Sequence, residues 1–117
     1  MKIIEDLDVY KKSILFASKV YKITKNFPQE EKFGIVNQMR RAAVSISSNL
    51  SEGGSRLTNG ELKQFLGIAR GSAAELKTQI ILAKEFGYIT SEYDSLIDDI
   101  SEIHRMITGV IKRNTDS

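Results

Sequence analysis

The chain has 117 residues, of which 41% are hydrophobic and 27% charged, and its formal net charge is +2. These values are typical of one globular domain with a single core. There is no cysteine, which excludes disulfides, thiolate nucleophiles and thiolate metal sites. No apolar run approaches the roughly 20 residues of a membrane span, and the first residues lack the apolar stretch of a signal peptide. We therefore expect a cytoplasmic protein.

Two helices are predicted in the first half of the chain, where apolar residues recur every three or four positions. The first, over about residues 7–25, has a stripe made of Leu7, Tyr10, Ile14, Ala17, Tyr21 and Thr24. Phe27–Pro28 ends it, and Pro28 suits the first turn of the next helix, over about residues 29–53. The second stripe consists of Val36, Met39, Ala43, Ile46 and Leu50, and Gly53–Gly54 ends that helix.

Two further helices are predicted in the second half. Thr58 to Glu61 forms a capping box that opens a helix over about residues 59–86, which Gly87 ends. Its stripe is unbroken and consists of Leu62, Leu66, Ala69, Ala73, Leu76, Ile80 and Ala83. Thr90 or Ser91 is expected to cap the last helix, over about residues 91–113, with a stripe of Leu96, Ile100, Ile103, Ile107 and Val110.

Four apolar stripes joined by short connections predict an all-α fold, an antiparallel up-and-down four-helix bundle. The bundle forms one domain over residues 1–117, with short flexible termini at 1–5 and 114–117. Residues at the stripe centres should be buried. The predicted core includes Ile14, Tyr21, Met39, Ile46, Leu66, Leu76, Ile80, Ile100 and Ile107.

The third helix carries a second line of small residues opposite its core stripe. Gly67, Gly71, Ala74 and Thr78 are spaced four, three and four positions apart, and each glycine inside a helix costs about 1 kcal/mol relative to alanine. The second helix has a similar line of Arg41, Ser45, Ser48 and Glu52. These lines are either small exposed residues or a contact surface for another protomer. The second interpretation predicts an oligomer interface at Ser45, Ser48, Gly67, Gly71, Ala74 and Thr78.

Basic residues form a stripe along the third helix. Lys63, Arg70, Lys77 and Lys84 recur every seven positions, and Arg56 continues this period into the preceding loop. Together with Arg40 and Arg41 they could meet the phosphates of a nucleic acid. The alternative is a solvated flank whose lysine stems cover apolar edges. The sequence lacks the interleaved aromatic platform on which single-strand binders stack bases.

No residue pattern indicates an enzyme. His104 is the only histidine, and a Glu-x-x-His iron motif would need an acid where Ser101 stands. The acidic residues early in the last helix complement the helix dipole, and a hard-cation site would need oxygens from several elements. We expect no catalytic residues, no metal and no cofactor.

The chain from about Ala17 to Ile89 resembles the bacterial four-helix-bundle family named for proteins encoded in 23S rRNA intervening sequences. The run Arg40–Ile46, followed by Ser48–Asn49 and Glu52–Gly53, is its most specific part. The full set of residues that carry the resemblance is Tyr21, Phe27–Pro28, Glu31, Phe33–Gly34, Gln38–Gly53, Phe65–Leu66, Ala69, Gly71–Ser72, Glu75–Leu76, Thr78–Gln79 and Gly87–Ile89.

The resemblance implies an assembly and a class of partner. Members form homopentameric barrels, and they are similar to accessory proteins of diversity-generating retroelements, which bind nucleic acid and a reverse transcriptase. Two hypotheses follow. The protein is either a nucleic-acid-binding accessory factor for RNA or DNA that acts through Arg40, Arg41, Arg70 and Lys77, or a scaffold ring that engages a protein partner.

Overall fold

The computed structural model of the protein describes residue 4 and residues 7–114. Within these residues the chain forms four α-helices and one short 3₁₀ turn, with no strand. The helices are α1 (Asp8–Thr24), α2 (Ile35–Gly54), α3 (Asn59–Glu85) and α4 (Tyr93–Arg113), and the 3₁₀ turn spans Gln29–Glu31. The predicted all-α class and the four predicted helices are confirmed.

Helix α2 begins later than predicted. Pro28 opens the 3₁₀ turn, and the chain then bends at Gly34 before the α-helix starts at Ile35. Gly34 has φ −105° and ψ −120°, which is not helical backbone. A Cβ atom at this position would lie 2.7 Å from Oε1 of Glu31. The bend at Gly34 therefore separates the two segments that the sequence pattern joins.

The helices pack as neighbours in chain order, and α2 and α3 run antiparallel. Each helix contacts the next along the chain, α1 also contacts α4, and within the described residues the diagonal pairs do not meet. Direction follows from single contacts: Ser45 of α2 faces Ser72 of α3, whereas Gly53, later in α2, faces Phe65, earlier in α3. The arrangement is the four-helix bundle that the stripes predict.

The predicted core is correct for α2, α3 and α4 and wrong for α1. Met39, Ile46, Leu66, Leu76, Ile80, Ile100 and Ile107 are all buried. Ile14 and Tyr21, however, are 46% and 41% exposed.

The buried stripe of α1 is turned by about one residue, or about 100°, from the predicted one. It consists of Val9, Ser13, Phe16, Val20 and Thr24. Ser13 donates a hydrogen bond to the carbonyl oxygen of Tyr10 (2.7 Å), and Thr24 donates to that of Val20 (2.8 Å). Because these bonds satisfy the hydroxyls, two polar residues lie in the core and break the apolar pattern there.

Both ends of α3 agree with the sequence, whereas the start of α4 does not. Thr58 Oγ1 accepts a hydrogen bond from the Glu61 N–H (3.2 Å), which confirms Thr58 as the N-cap of α3, and the Glu61 carboxylate accepts from the Thr58 hydroxyl (3.0 Å). Gly87 has φ +82°, a left-handed conformation that glycine adopts without strain, and it ends α3. The expected cap of α4 is wrong. Neither Thr90 nor Ser91 caps the helix, and both instead donate hydrogen bonds to the Glu92 carboxylate.

Two glycines at the end of α2 allow close packing. A Cβ atom at Gly53 would lie 3.1 Å from the Phe65 Cβ, so α3 approaches α2 closely here. A Cβ atom at Gly54 would lie 2.5 Å from Cγ1 of Ile4, which is buried. Residue 4 therefore belongs to the core, although the sequence pattern places it in a flexible end. The rest of the predicted flexible termini, apart from Asn114, lies outside the described residues.

Small polar residues also hold α2 and α3 together. The hydroxyls of Ser45 and Ser72 form a hydrogen bond of 2.8 Å across the two helices. Asn49 donates to the carbonyl oxygen of Ser45 at 2.8 Å and to its hydroxyl at 3.0 Å. This network explains why an amphipathic helix contains serine and asparagine, which are otherwise poor helix formers.

In the part of the chain that the structure describes, no helix combines the length and the apolar character that crossing a membrane requires.

Candidate functional site

The line of small residues on α3 lies on the open surface. Gly67, Gly71, Ala74 and Thr78 are all exposed. A Cβ atom added at Gly67 or Gly71 would meet no atom within 4 Å among the described residues. The two glycines therefore have no packing role inside the bundle, although each one weakens the helix relative to alanine.

Aliphatic side chains flank these glycines. Ile68 and Leu82 of α3 and Val44 of α2 are each close to half-exposed, and Ser48 is exposed one turn beyond Val44. We call this surface the outer α2–α3 face. It consists of Val44, Ser48, Gly67, Ile68, Gly71, Ala74, Thr78 and Leu82. Ser45, which the sequence pattern assigns to the same surface, is half-buried and bonds to Ser72 inside the protomer.

The structure places Arg40 at the contact between α1 and α2. Its Nε donates to Thr24 Oγ1 (2.9 Å), and its terminal nitrogen donates to the Tyr21 carbonyl oxygen (3.3 Å). The guanidinium group also lies 4.6 Å from the centre of the Tyr21 ring. Arg40 thus satisfies groups at the C-terminus of α1, where backbone carbonyls lack helical partners.

Arg56 and Lys84 also have partners within the protomer. Arg56 forms an ion pair with Glu52 and lies 4.6 Å from the centre of the Phe65 ring. The Lys84 ammonium lies 4.0 Å from the centre of the Tyr93 ring at the start of α4. Each contact is an ordinary surface interaction, and both cations remain exposed.

Four of the predicted basic residues have no hydrogen-bond or ion-pair partner among the described residues: Arg41, Lys63, Arg70 and Lys77. They do not form one cluster. Arg41 lies beside Glu75 and Thr78 in a groove between α2 and α3. The other three precede Lys84 at seven-residue intervals along α3. Because Lys84 contacts Tyr93 of α4, they lie on the side of α3 that faces α4. We call Lys63, Arg70 and Lys77 the α3 basic stripe.

Two lysines of α1 are neutralised by acidic residues of α4. Lys12 of α1 forms ion pairs with Asp99 (3.6 Å) and Glu102 (3.1 Å) of α4, and Lys19 pairs with Asp99 at 3.2 Å. Asp99 and Glu102 of α4 therefore neutralise the charges of these two lysines. The α3 basic stripe has no such compensation within the described residues.

The groove beside Arg41 was not anticipated from the sequence. It has a volume of ≈ 760 Å³ and lies between the start of α2 and the second half of α3. Its lining includes Phe33, Asn37, Gln38, Arg41 and Gln79. Gln79 flanks the apolar stripe of α3, and only the packed structure shows which way such a residue faces.

Neighbouring arginines should differ in their effect on stability. Replacing Arg40 with alanine should lower the free energy of unfolding by about 1–3 kcal/mol, because it leaves bonded groups at the end of α1 without a charged donor. Arg41→Ala is the matched control and should change stability by less than about 0.5 kcal/mol. Urea denaturation at one fixed protein concentration measures both. Equal losses in the two variants would contradict the assignment of Arg40 to the α1–α2 contact.

No metal centre is formed by the residues that the structure describes, since no three acidic or histidine side chains converge.

The comparisons with known proteins place the chain in a family. Residues 5–109 match the family described as 23S rRNA-intervening sequence protein. The chain belongs to this family. It is also similar to the crystal structure of a protein of unknown function from the S23 ribosomal protein family of Bacteroides thetaiotaomicron VPI-5482. The two are 30% identical, with a TM-score of 0.82, over 89% of this chain and 95% of that one. No curated protein matches the chain.

Several residues that carry the family resemblance have structural roles at one end of the bundle. The Phe27 and Tyr88 rings are 5.3 Å apart, and the Tyr88 hydroxyl donates to Oε2 of Glu31 at 2.7 Å. This hydrogen bond raises the pKa of the Tyr88 hydroxyl above its usual value. Together these residues join the α1–α2 connection to the turn after α3, so they position the elements around the groove.

Proposed function

We propose that the protein is a non-enzymatic homopentamer that binds RNA or DNA through the α3 basic stripe of each copy. The observation that supports this function is the uneven pairing of charge. Lys12 and Lys19 of α1 pair with acids of α4, whereas Lys63, Arg70 and Lys77, spaced seven residues apart on one side of α3, have no partner among the described residues. Regularly spaced cations can neutralise phosphates without reading bases.

The proposed assembly is supported by the outer α2–α3 face. Gly67 and Gly71 leave open space on a helix surface, and half-exposed Ile68 and Leu82 border it. Such a surface lets a helix of another copy approach closely and bury aliphatic area. A closed ring repeats each basic stripe around its axis, so a modest charge per protomer gives a stronger local field.

Two measurements on the wild-type protein test these proposals. Multi-angle light scattering should give the mass of five protomers, and a monomer at micromolar concentration would contradict the assembly. Retention of RNA and DNA should be weakly dependent on sequence and should fall steeply with salt, because phosphate contacts release counterions. Absence of retention even at low salt would contradict nucleic-acid binding.

A second candidate function is a scaffold ring that engages a protein partner, such as a reverse transcriptase. The observation that favours it is the exposure of large apolar side chains near opposite ends of α2. Leu57 is 98% exposed and Phe33 is 87% exposed. Isolated exposed apolar residues are common, so this candidate becomes the leading one only if nucleic acid is not retained.

A further inference from the structure

The groove between α2 and α3 is lined by the kinds of side chain that bind unpaired nucleotides in other proteins. Phe33 stands at one end, Asn37 and Gln38 follow on the first turn of α2, and Arg41 lies one turn after Asn37. An aromatic ring, side-chain amides and a guanidinium group are the recurring elements of single-strand recognition.

Gln79 gives an independent indication of a ligand. Its side chain is only 6% exposed, and its Nε2 donates to Oε1 of Glu75 at 3.1 Å. Its Oε1 is buried and has no hydrogen-bond partner among the described residues. Buried acceptors are nearly always paired, and an orphan is destabilising. Solvent does not reach this oxygen in the free protein, but Gln79 lines the groove, so a rotation of its amide would present the oxygen to a donor on a bound molecule.

Phe33 is the residue best placed to stack on a base. Its ring is 87% exposed, so folding does not use it. The ammonium group of Lys32 lies 5.5 Å from the centre of the Phe33 ring and adds positive charge beside it. Arg41 forms no ion pair with Glu75 across the groove, so its guanidinium group is available for a phosphate.

We propose that this groove binds one unpaired nucleotide whose base carries an exocyclic amino group. The base stacks on Phe33, its amino group donates to Gln79 Oε1, and Arg41 contacts the phosphate. The Glu75 carboxylate accepts from the same edge of the base, as acidic side chains do from cytosine. Adenine, cytosine and guanine carry such a group, whereas uracil offers a carbonyl oxygen in its place.

This site refines the proposed nucleic-acid binding, but the two can be tested apart. The α3 basic stripe contacts phosphates of single and double strands alike, whereas the groove requires a base outside a duplex. We therefore compare fluorescence polarisation of short labelled oligo(A), oligo(C) and oligo(U) with that of a mixed-sequence duplex. The full-length protein is used throughout.

Phe33→Ala should weaken binding of oligo(A) and oligo(C) by about 5- to 150-fold, the range for one lost base stack, and leave duplex binding unchanged. Leu57→Ala is the matched control, because it also truncates a highly exposed apolar residue but lies in the α2–α3 connection, away from the groove. Gln79→Met keeps the buried volume and removes the orphan acceptor. This variant should retain the fold. The wild type should bind oligo(A) and oligo(C) roughly fivefold or more tightly than oligo(U), and the variant should bind all three about equally.

The remaining outcomes distinguish the groove site from the α3 basic stripe. Equal binding of single strands by the wild type and by Phe33→Ala would overturn the groove site, and duplex binding would still support the α3 basic stripe. Binding of single strands without binding of duplex would support the groove and count against the stripe. A lower mass of Phe33→Ala in light scattering would identify the groove as a contact between copies and overturn the nucleotide site.

Discussion

Gly71→Leu should dissociate the assembly while leaving the protomer folded. Inside the protomer, the added side chain meets no atom within 4 Å of its Cβ position, and leucine favours a helix over glycine by roughly 0.5–1 kcal/mol. At a close contact between copies, the same side chain overpacks the surface at a cost of typically ~1–3 kcal/mol. A closed ring repeats this cost at each contact. Gly71→Leu is therefore expected to stabilise the helix and to destabilise the assembly.

Light scattering and far-UV circular dichroism measure the two effects separately. We expect a lower mass at unchanged or slightly higher helix content. Ser18→Leu is the matched control, because it also adds an apolar side chain to an exposed helix position, but on α1. A Gly71→Leu protein that keeps the wild-type mass would exclude the outer α2–α3 face as the protomer contact. Loss of helix content would contradict the open space at Gly71.

The fold could be predicted from the sequence where one apolar stripe dominates. In α3 the stripe from Leu62 to Ala83 is unbroken, and its centres Leu66, Leu76 and Ile80 are buried as predicted. In α1 two stripes of similar regularity compete. The buried one includes Ser13, whose hydroxyl is satisfied by the carbonyl of Tyr10. A hydropathy pattern contains no information about that hydrogen bond, so it predicted the wrong buried face for α1.

The candidate site could be predicted only in part. Regular spacing identified Lys63, Arg70 and Lys77, because residues seven apart share one side of a helix. Spacing within a helix cannot show which neighbouring helix a side chain reaches. Arg40 and Arg41 are adjacent in sequence and about 100° apart around α2, so one is bonded to α1 and the other lines the groove beside α3. The orphan oxygen of Gln79 is likewise a property of packing.

Arg70→Glu combined with Lys77→Glu should abolish retention of duplex nucleic acid at physiological salt. The double change replaces two attractive phosphate contacts with repulsive ones, and a pentamer would carry the change in every copy. Each lost phosphate contact should lower the slope of log affinity against log salt by about 0.9 for duplex DNA. We expect affinity at low salt to fall by at least about tenfold. Fluorescence polarisation over a salt series measures both quantities.

A matched control separates this effect from net charge. Lys11→Glu with Lys22→Glu makes the same charge change at exposed positions of α1 and should leave a measurable salt-dependent affinity. Arg70 and Lys77 are half-buried, so the milder pair Arg70→Gln with Lys77→Gln tests the same contacts if the glutamates disturb folding. Equal losses in the α1 and α3 variants would show that binding follows overall charge. The α3 basic stripe would then be a solvated flank and not the binding site.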